Sequence, residues 1–200
     1  MPQHTYILFY KPFQVLSQFS EEGDKKTLAH FFPNIEKNIY PVGRLDYDSE
    51  GLLLLTNDKK INHQLLDPKQ AHQRTYYVQV EGTPTPESLI QLAQGVSISI
   101  NGAIHKTSPA KASLIPEPQH LPERNPPIRF RKNIPTAWIA LTLTEGKNRQ
   151  VRKMTAAVGF PTLRLIRYSI GQMEIGKMNS GDAIALDQTQ LALLFQKTKA

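Results

Sequence analysis

Residues 50–56 read EGLLLLT, with four consecutive leucines entered directly from a polar, turn-rich stretch, PVGRLDYDSEG at 41–51. So short an apolar run, bounded by glycine on one side and Thr-Asn-Asp on the other, is a buried strand preceded by a loop. A chain of 200 residues is long enough to bury such a strand in one substantial core, as one domain or two intimate subdomains.

The rest of the chain alternates strand and helix signals. Residues 6–10 (YILFY) form a strand stopped by Lys11-Pro12. Residues 27–32 suit a short helix ending before Pro33, and Asn57 or Asp58 can cap a helix over 59–66 that stops before Pro68. Residues 75–81 have strand composition. Residues 86–94 read as a helix with Gly95 just past its end. Strands at 96–100 and 103–115 flank an Asn101-Gly102 turn, a strong hairpin signal. Residues 116–135 are rich in proline and carry Arg129, Arg131 and Lys132; they read as a long loop within the domain. A strand at 137–144, a helix at 148–158, a strand at 163–170 and a helix at 188–195 complete the order. The mixture predicts an α+β protein, with a mainly antiparallel mixed sheet and flanking helices.

Charge adds a direction. Between Arg124 and Arg167 there are ten Lys/Arg and one acid, Glu145, a net +9; with +7 overall, the remainder carries −2. A basic segment on a near-neutral body suits a polyanion, although a solvated basic surface is the plainer reading. The chain has no cysteine, which excludes disulfides, thiolate metal sites and cysteine nucleophiles. The apolar stretch near the N-terminus is too short for a membrane span and lacks a basic leader, so a cytoplasmic protein without a membrane segment is expected.

Two stretches can carry chemistry. Asp46, Asp48 and Glu50 lie within five residues, flanked by Gly43 and Gly51. Spacing alone leaves three options open: a metal site, an acid/base pair, or solvated carboxylates. In EGKNRQVRKM, Lys147, Arg149, Arg152 and Lys153 gather at a predicted helix N-terminus, where free amides favour anions. Arg149 and Arg152, three apart, would share a helical face. An ordinary basic helix is the alternative.

These stretches, with YKP at 10–12, RTYYVQVEG at 74–82 and GFPTLRLIRYSIG at 159–171, resemble in order and separation the RsuA/RluB/RluE/RluF family of bacterial rRNA pseudouridine synthases, closest to the RluE branch, which modifies 23S rRNA. The resemblance covers almost the whole chain. It implies the pseudouridine synthase catalytic fold, with two subdomains around a central cleft. It implies isomerisation of a specific uridine to pseudouridine without cofactor or metal. Asp46 matches the family's essential carboxylate, and Arg152 the position that pairs with it. Tyr76 matches the active-site tyrosine, and Leu165 an apolar residue packed against the target base. Arg44 is a candidate phosphate contact. Lys147 and Arg149 join it, and Arg129, Arg131 and Lys132 would grip RNA from the proline-rich loop.

The expected partner is 23S rRNA or a large-subunit assembly particle, met by a monomer. Many relatives carry an S4 domain ahead of the catalytic domain. Here YKP starts at residue ten, so a single catalytic domain over 1–200 is expected. Arg74 stands where the family more often has Lys. Asp48 and Glu50 are expected to be structural, by capping or by pairing with nearby Arg or Lys, His63 to lie on a helix surface and Trp138 in the core. The competing readings are a non-catalytic RNA-binding or ribosome-assembly protein on the same scaffold, and a glycoside hydrolase acting on a neutral sugar. The second gives no reason for the +9 segment.

Overall fold

A computed structural model describes residues 4–128 and 134–197. In chain order the elements are β1 (Tyr6–Lys11), β2 (Val15–Leu16), β3 (Lys26–Thr27), β4 (Tyr40–Pro41), β5 (Glu50–Thr56), α1 (Lys59–Leu66), β6 (Arg74–Glu81), α2 (Pro86–Gln94), β7 (Ser97–Ile100), β8 (Ala103–Lys106), β9 (Lys111–Ile115), β10 (Thr136–Leu143), α3 (Gln150–Ala157), β11 (Thr162–Ile170), β12 (Met173–Glu174), β13 (Ala183–Ala185) and α4 (Gln188–Leu193). The class is α+β, as the sequence predicts. The chain divides into two compact units, Met1–His72 with Arg167–Ala200, and Gln73–Ile166.

In the first unit β1 is antiparallel to β13 on one side and to β5 on the other, while β4 adds to β5. All seven residues of β5 are buried, which its leucine run requires. The pleat sends alternate residues to opposite faces. Phe9, Leu53 and Leu55 accordingly join Leu28 and Ile39 in one cluster. Phe9 anchors it, with ring centroids 5.2 Å from Phe31 and 5.0 Å from Phe32. Only Leu28–His30 of the helix expected at 27–32 forms, as a single 3-10 turn. Residues 26 and 27 are instead drawn into β3, parallel to β2. Helix α1 starts where expected because the Asp58 carboxylate accepts the amides of Lys60 and Ile61. That carboxylate also accepts the Tyr6 hydroxyl at 2.8 Å. Burial, followed by this bond to Asp58, pushes the Tyr6 phenol up to about 12.

In the second unit β10 pairs antiparallel with both β6 and β9. One core cluster takes Val78 and Val80 from β6, Ile139, Leu141 and Leu143 from β10, Leu92 from α2, Ile98 from β7, and Val151 and Met154 from α3. The strand expected over 103–115 is broken. β8 ends at Lys106 and pairs only with β7, whereas β9 starts at Lys111 and pairs with β10. Ser108-Pro109 lies at the break, and proline has no amide to continue a ladder. The described part of the proline-rich loop is tied down by Leu121, which is buried, and by Arg164, whose guanidinium donates to the Pro122 carbonyl at 2.8 Å. Arg129, Arg131 and Lys132 lie outside the described residues.

Gly51 ties this packing to the loop ahead of β5. Its φ is +108°, and a Cβ there would lie 2.4 Å from the Arg167 carbonyl oxygen. Gly51→Ala is therefore expected to cost about 3 kcal/mol or more of stability. Gly102→Ala, also at positive φ but with nothing within 4 Å, should cost about 1–2 kcal/mol. Urea unfolding of the two variants checks the difference, and equal losses would refute the packing explanation.

Candidate active site

Asp46 sits on the loop between β4 and β5, and hydrogen bonds hold the backbone on both sides of it. The Ser17 hydroxyl accepts the Leu45 amide at 3.0 Å and donates to the Leu45 carbonyl at 2.8 Å. The Gln14 amide donates to the Tyr47 carbonyl at 2.8 Å, and the Ser49 amide to the Asp46 carbonyl at 3.0 Å. Four consecutive peptide units are thereby fixed, so the half-buried Asp46 side chain leaves from a set point.

Behind this clamp lies Lys11, fully buried at the end of β1. Its Nζ donates to the carbonyls of Pro12 at 2.9 Å and Val15 at 2.7 Å. These bonds close the turn in which Gln14 adopts left-handed geometry (φ 57°) and aims its amide at Tyr47. Burial pushes the Lys11 amine down to about 7; Glu50, Asp48 and Asp46 pull it back up, and Arg167 pushes it further down. Asp48 and Glu50 thus stand close enough to act on this lysine. Arg167, also buried, donates from Nε to the Leu52 carbonyl at 2.6 Å. Arg44 is exposed, and its guanidinium donates to Gln18 Oε1 at 3.3 Å.

The second unit holds the other predicted residues. Tyr76 on β6 stands opposite Leu141 of β10 and packs, half-buried, against the core cluster that contains Leu165, Val151 and Met154. Tyr76, Leu165 and the buried face of α3 are therefore brought together. Arg152 and Lys153 are half-buried on α3, while Lys147 and Arg149 are exposed ahead of it. The helix begins at Gln150, two residues later than predicted. Arg149 is its N-cap in left-handed geometry (φ 51°), so it does not share a helical face with Arg152.

Glu145 holds the turn before α3. Its carboxylate accepts the Ser108 amide at 2.9 Å and the Gln150 side-chain amide at 2.6 Å, and faces His105 Nε2 at 3.2 Å. Gln150 in turn accepts the Lys147 amide at 2.9 Å. His63 is exposed on α1 and Trp138 is buried, as expected.

Sequence reasoning missed Lys11, Ser17, Gln14 and Glu145. Only Lys11 carried a visible signal, a lysine closing an otherwise apolar strand before a proline. Among the described residues, no group of three or more His, Asp or Glu side chains is disposed to hold a metal ion.

The family model described as RNA pseudouridylate synthase matches residues 5–157. A protein from Vibrio vulnificus (strain CMCP6) named ribosomal large subunit pseudouridine synthase E is 50% identical over 182 residues, covering 91% of this chain and 75% of its own length. A protein of the same name from Xanthomonas axonopodis pv. citri (strain 306) is 49% identical, covering 84% of this chain and 87% of its own. A solved structure titled "Crystal structure of pseudouridylate synthase" superimposes with a TM-score of 0.77 over 97% of this chain and 75% of that one, at 25% identity. The resemblance to the RluE branch read from the motifs is borne out.

The depressed Lys11 pKa gives stability a pH dependence. Below about pH 7 Lys11 is charged in both folded and unfolded chains, and the full cost of burying that charge is present. Between about 7 and the ordinary value of 10.5 the unfolded chain binds more protons, so stability rises with pH. Lys11→Met should remove this contribution. Chemical denaturation at pH 6.5 and pH 9 should show the unaltered protein gaining stability relative to the variant; a constant difference would contradict the assignment.

Proposed function

We infer that this chain, which belongs to the RNA pseudouridylate synthase family, converts a uridine of large-subunit ribosomal RNA to pseudouridine, with Asp46 as the essential carboxylate. The observation that carries this reading is the backbone clamp at Leu45, Asp46 and Tyr47, which presents one carboxylate at a fixed point inside the GRLDYDSEG motif. The names of the relatives support the large-subunit substrate, and 23S rRNA is the RNA proposed. We extend the reading to one catalytic domain over 1–200, working as a monomer in the cytoplasm.

The reaction is an isomerisation. The bond from N1 of uracil to C1′ of ribose breaks, the base turns, a bond from C5 to C1′ forms, the proton on C5 leaves and N1 takes up a proton. Asp46 acts at the sugar, either by attack on it or by helping to form a glycal-type intermediate. The guanidinium fork of Arg152 is suited to keeping that carboxylate ionised. The Tyr76 ring stacks on the extruded uracil, its hydroxyl assists loss of the C5 proton, and Leu165 packs against the base. Taking a uridine out of its stack costs a few kcal/mol, which such surfaces help to offset. Arg44, Lys147 and Arg149, with Arg129, Arg131 and Lys132 of the proline-rich loop, contact phosphates.

Asp46→Asn should lower single-turnover pseudouridine formation on a 23S rRNA transcript by about three orders of magnitude or more while RNA binding persists. Tritium release from uracil C5 reads the rate, and substantial turnover by a homogeneous Asn variant would sink the assignment.

Catalysis and affinity should also separate. Arg152→Ala should slow the single-turnover rate at saturating RNA and leave the salt dependence of binding nearly intact. Joint replacement of Arg129, Arg131 and Lys132 by Ala should weaken binding and flatten its salt slope by about 0.7–0.9 log units per lost phosphate contact. Measuring both quantities for both variants tests the division, and the opposite pattern would reverse it.

A further inference from the structure

Beside the loop that carries Asp46, the first unit has an open groove of about 850 Å³, a size typical of ligand sites. Tyr40 of β4, Asn57 at the end of β5, and Asn62, His63 and Leu66 of α1 line it. Two features set it apart from ordinary surface. Tyr40 and Leu66 are large apolar side chains left 59% and 45% exposed on its walls. Among the described residues, no hydrogen bond engages the Tyr40 hydroxyl, the Asn62 amide or the His63 ring, so their donors and acceptors stay open to a ligand.

The lining indicates the kind of ligand. Its two carboxylates are already engaged. Asp58 is buried and bound to Tyr6 and the amides of α1, and Asp67 accepts the Lys69 amide at 2.9 Å. Lys59 is the one Lys or Arg of the lining. A phosphate would want several cations. A nucleobase wants a flat ring to stack on and polar groups to meet its edge, which Tyr40, Asn62 and His63 supply.

Strand β4 links the groove, at the Thr56 end of β5, to the loop of the proposed site, which enters β5 at Glu50. Strand β4 leads from Tyr40 through Val42 into the loop, with the Val42 amide donating to Leu54 at 2.8 Å. Gly43 is packed so closely on the groove that a Cβ there would lie 3.0 Å from Leu66 Cδ2. The geometry points to a second RNA subsite: an unpaired nucleotide of the same RNA, set apart from the target uridine, stacks on Tyr40, and its base edge is met by Asn62 and His63. This rests on the proposed function, because it takes the substrate to be RNA held at Asp46.

Equilibrium binding of a large-subunit rRNA transcript tests it. Tyr40→Ala should weaken affinity on the order of tenfold, Tyr40→Trp should retain it, and Ile104→Ala, which removes an exposed apolar side chain from the second unit, should leave it unchanged. Unchanged affinity in Tyr40→Ala, or an equal loss in Ile104→Ala, overturns the subsite. The absence of cysteine allows a direct map. Asn38→Cys, at the groove wall, carries a benzophenone label that should crosslink to one discrete unpaired stretch of the transcript. Crosslinks no different from those of a labelled Ile104→Cys control overturn the subsite as well. Pseudouridine formation by the unaltered protein is measured on the same transcript. Its absence would sink the functional reading alone, while the affinity comparison would still decide whether the groove binds RNA.

Discussion

The hydrogen bonds of Lys11 are the interaction on which the first unit's chemistry depends. A neutral amine carries two N–H groups, and the carbonyls of Pro12 and Val15 take both, so loss of the third proton leaves the turn intact. The turn holds Gln14 in left-handed geometry, and the Gln14 amide holds Tyr47 next to Asp46. A lysine that an apolar strand would normally reject thereby connects the strand's end to the loop that carries Asp46. Leaving those carbonyls without partners inside the protein would cost about 1–3 kcal/mol each.

The second unit handles its basic motif differently. The turn that presents Lys147 and Arg149 is shaped by a carboxylate, Glu145, together with the amide of Gln150. The cations themselves stay at the surface or half-buried. Arg149 as N-cap, rather than Asn148 as a first helical residue, follows from this hub. Gln150 turns back to Lys147 and starts the helix after the arginine.

Much of the architecture was legible because local and tertiary signals agree. The leucine run, the Asp58 cap, the Asn101-Gly102 turn and the helix before Gly95 all form where composition places them. Misreadings fall where tertiary pairing overrides local preference: residues 26 and 27 go to a strand, and 103–115 splits between two partners. The candidate site was legible as motifs, not as a mechanism of support. Ser17, Gln14 and Glu145 act through bonds spanning 28, 33 and 37 residues, and no spacing rule in one sequence reveals such partners. Lys11 was read as a strand terminator because proline follows it, although burial gives it a larger part.

The order of strands along the chain has a consequence for synthesis. One edge of β1 is closed by β13, whose residues follow all of 73–166 in the chain. Residues 73–166, by contrast, form a contiguous unit that is complete before β13 is made. On the ribosome the inserted unit can fold while β1, apolar and buried in the finished protein, still shows a bare backbone edge to its surroundings. Residues 183–185 therefore act as the closing seam of the first unit. Premature termination before them would leave an aggregation-prone strand rather than a merely shortened protein.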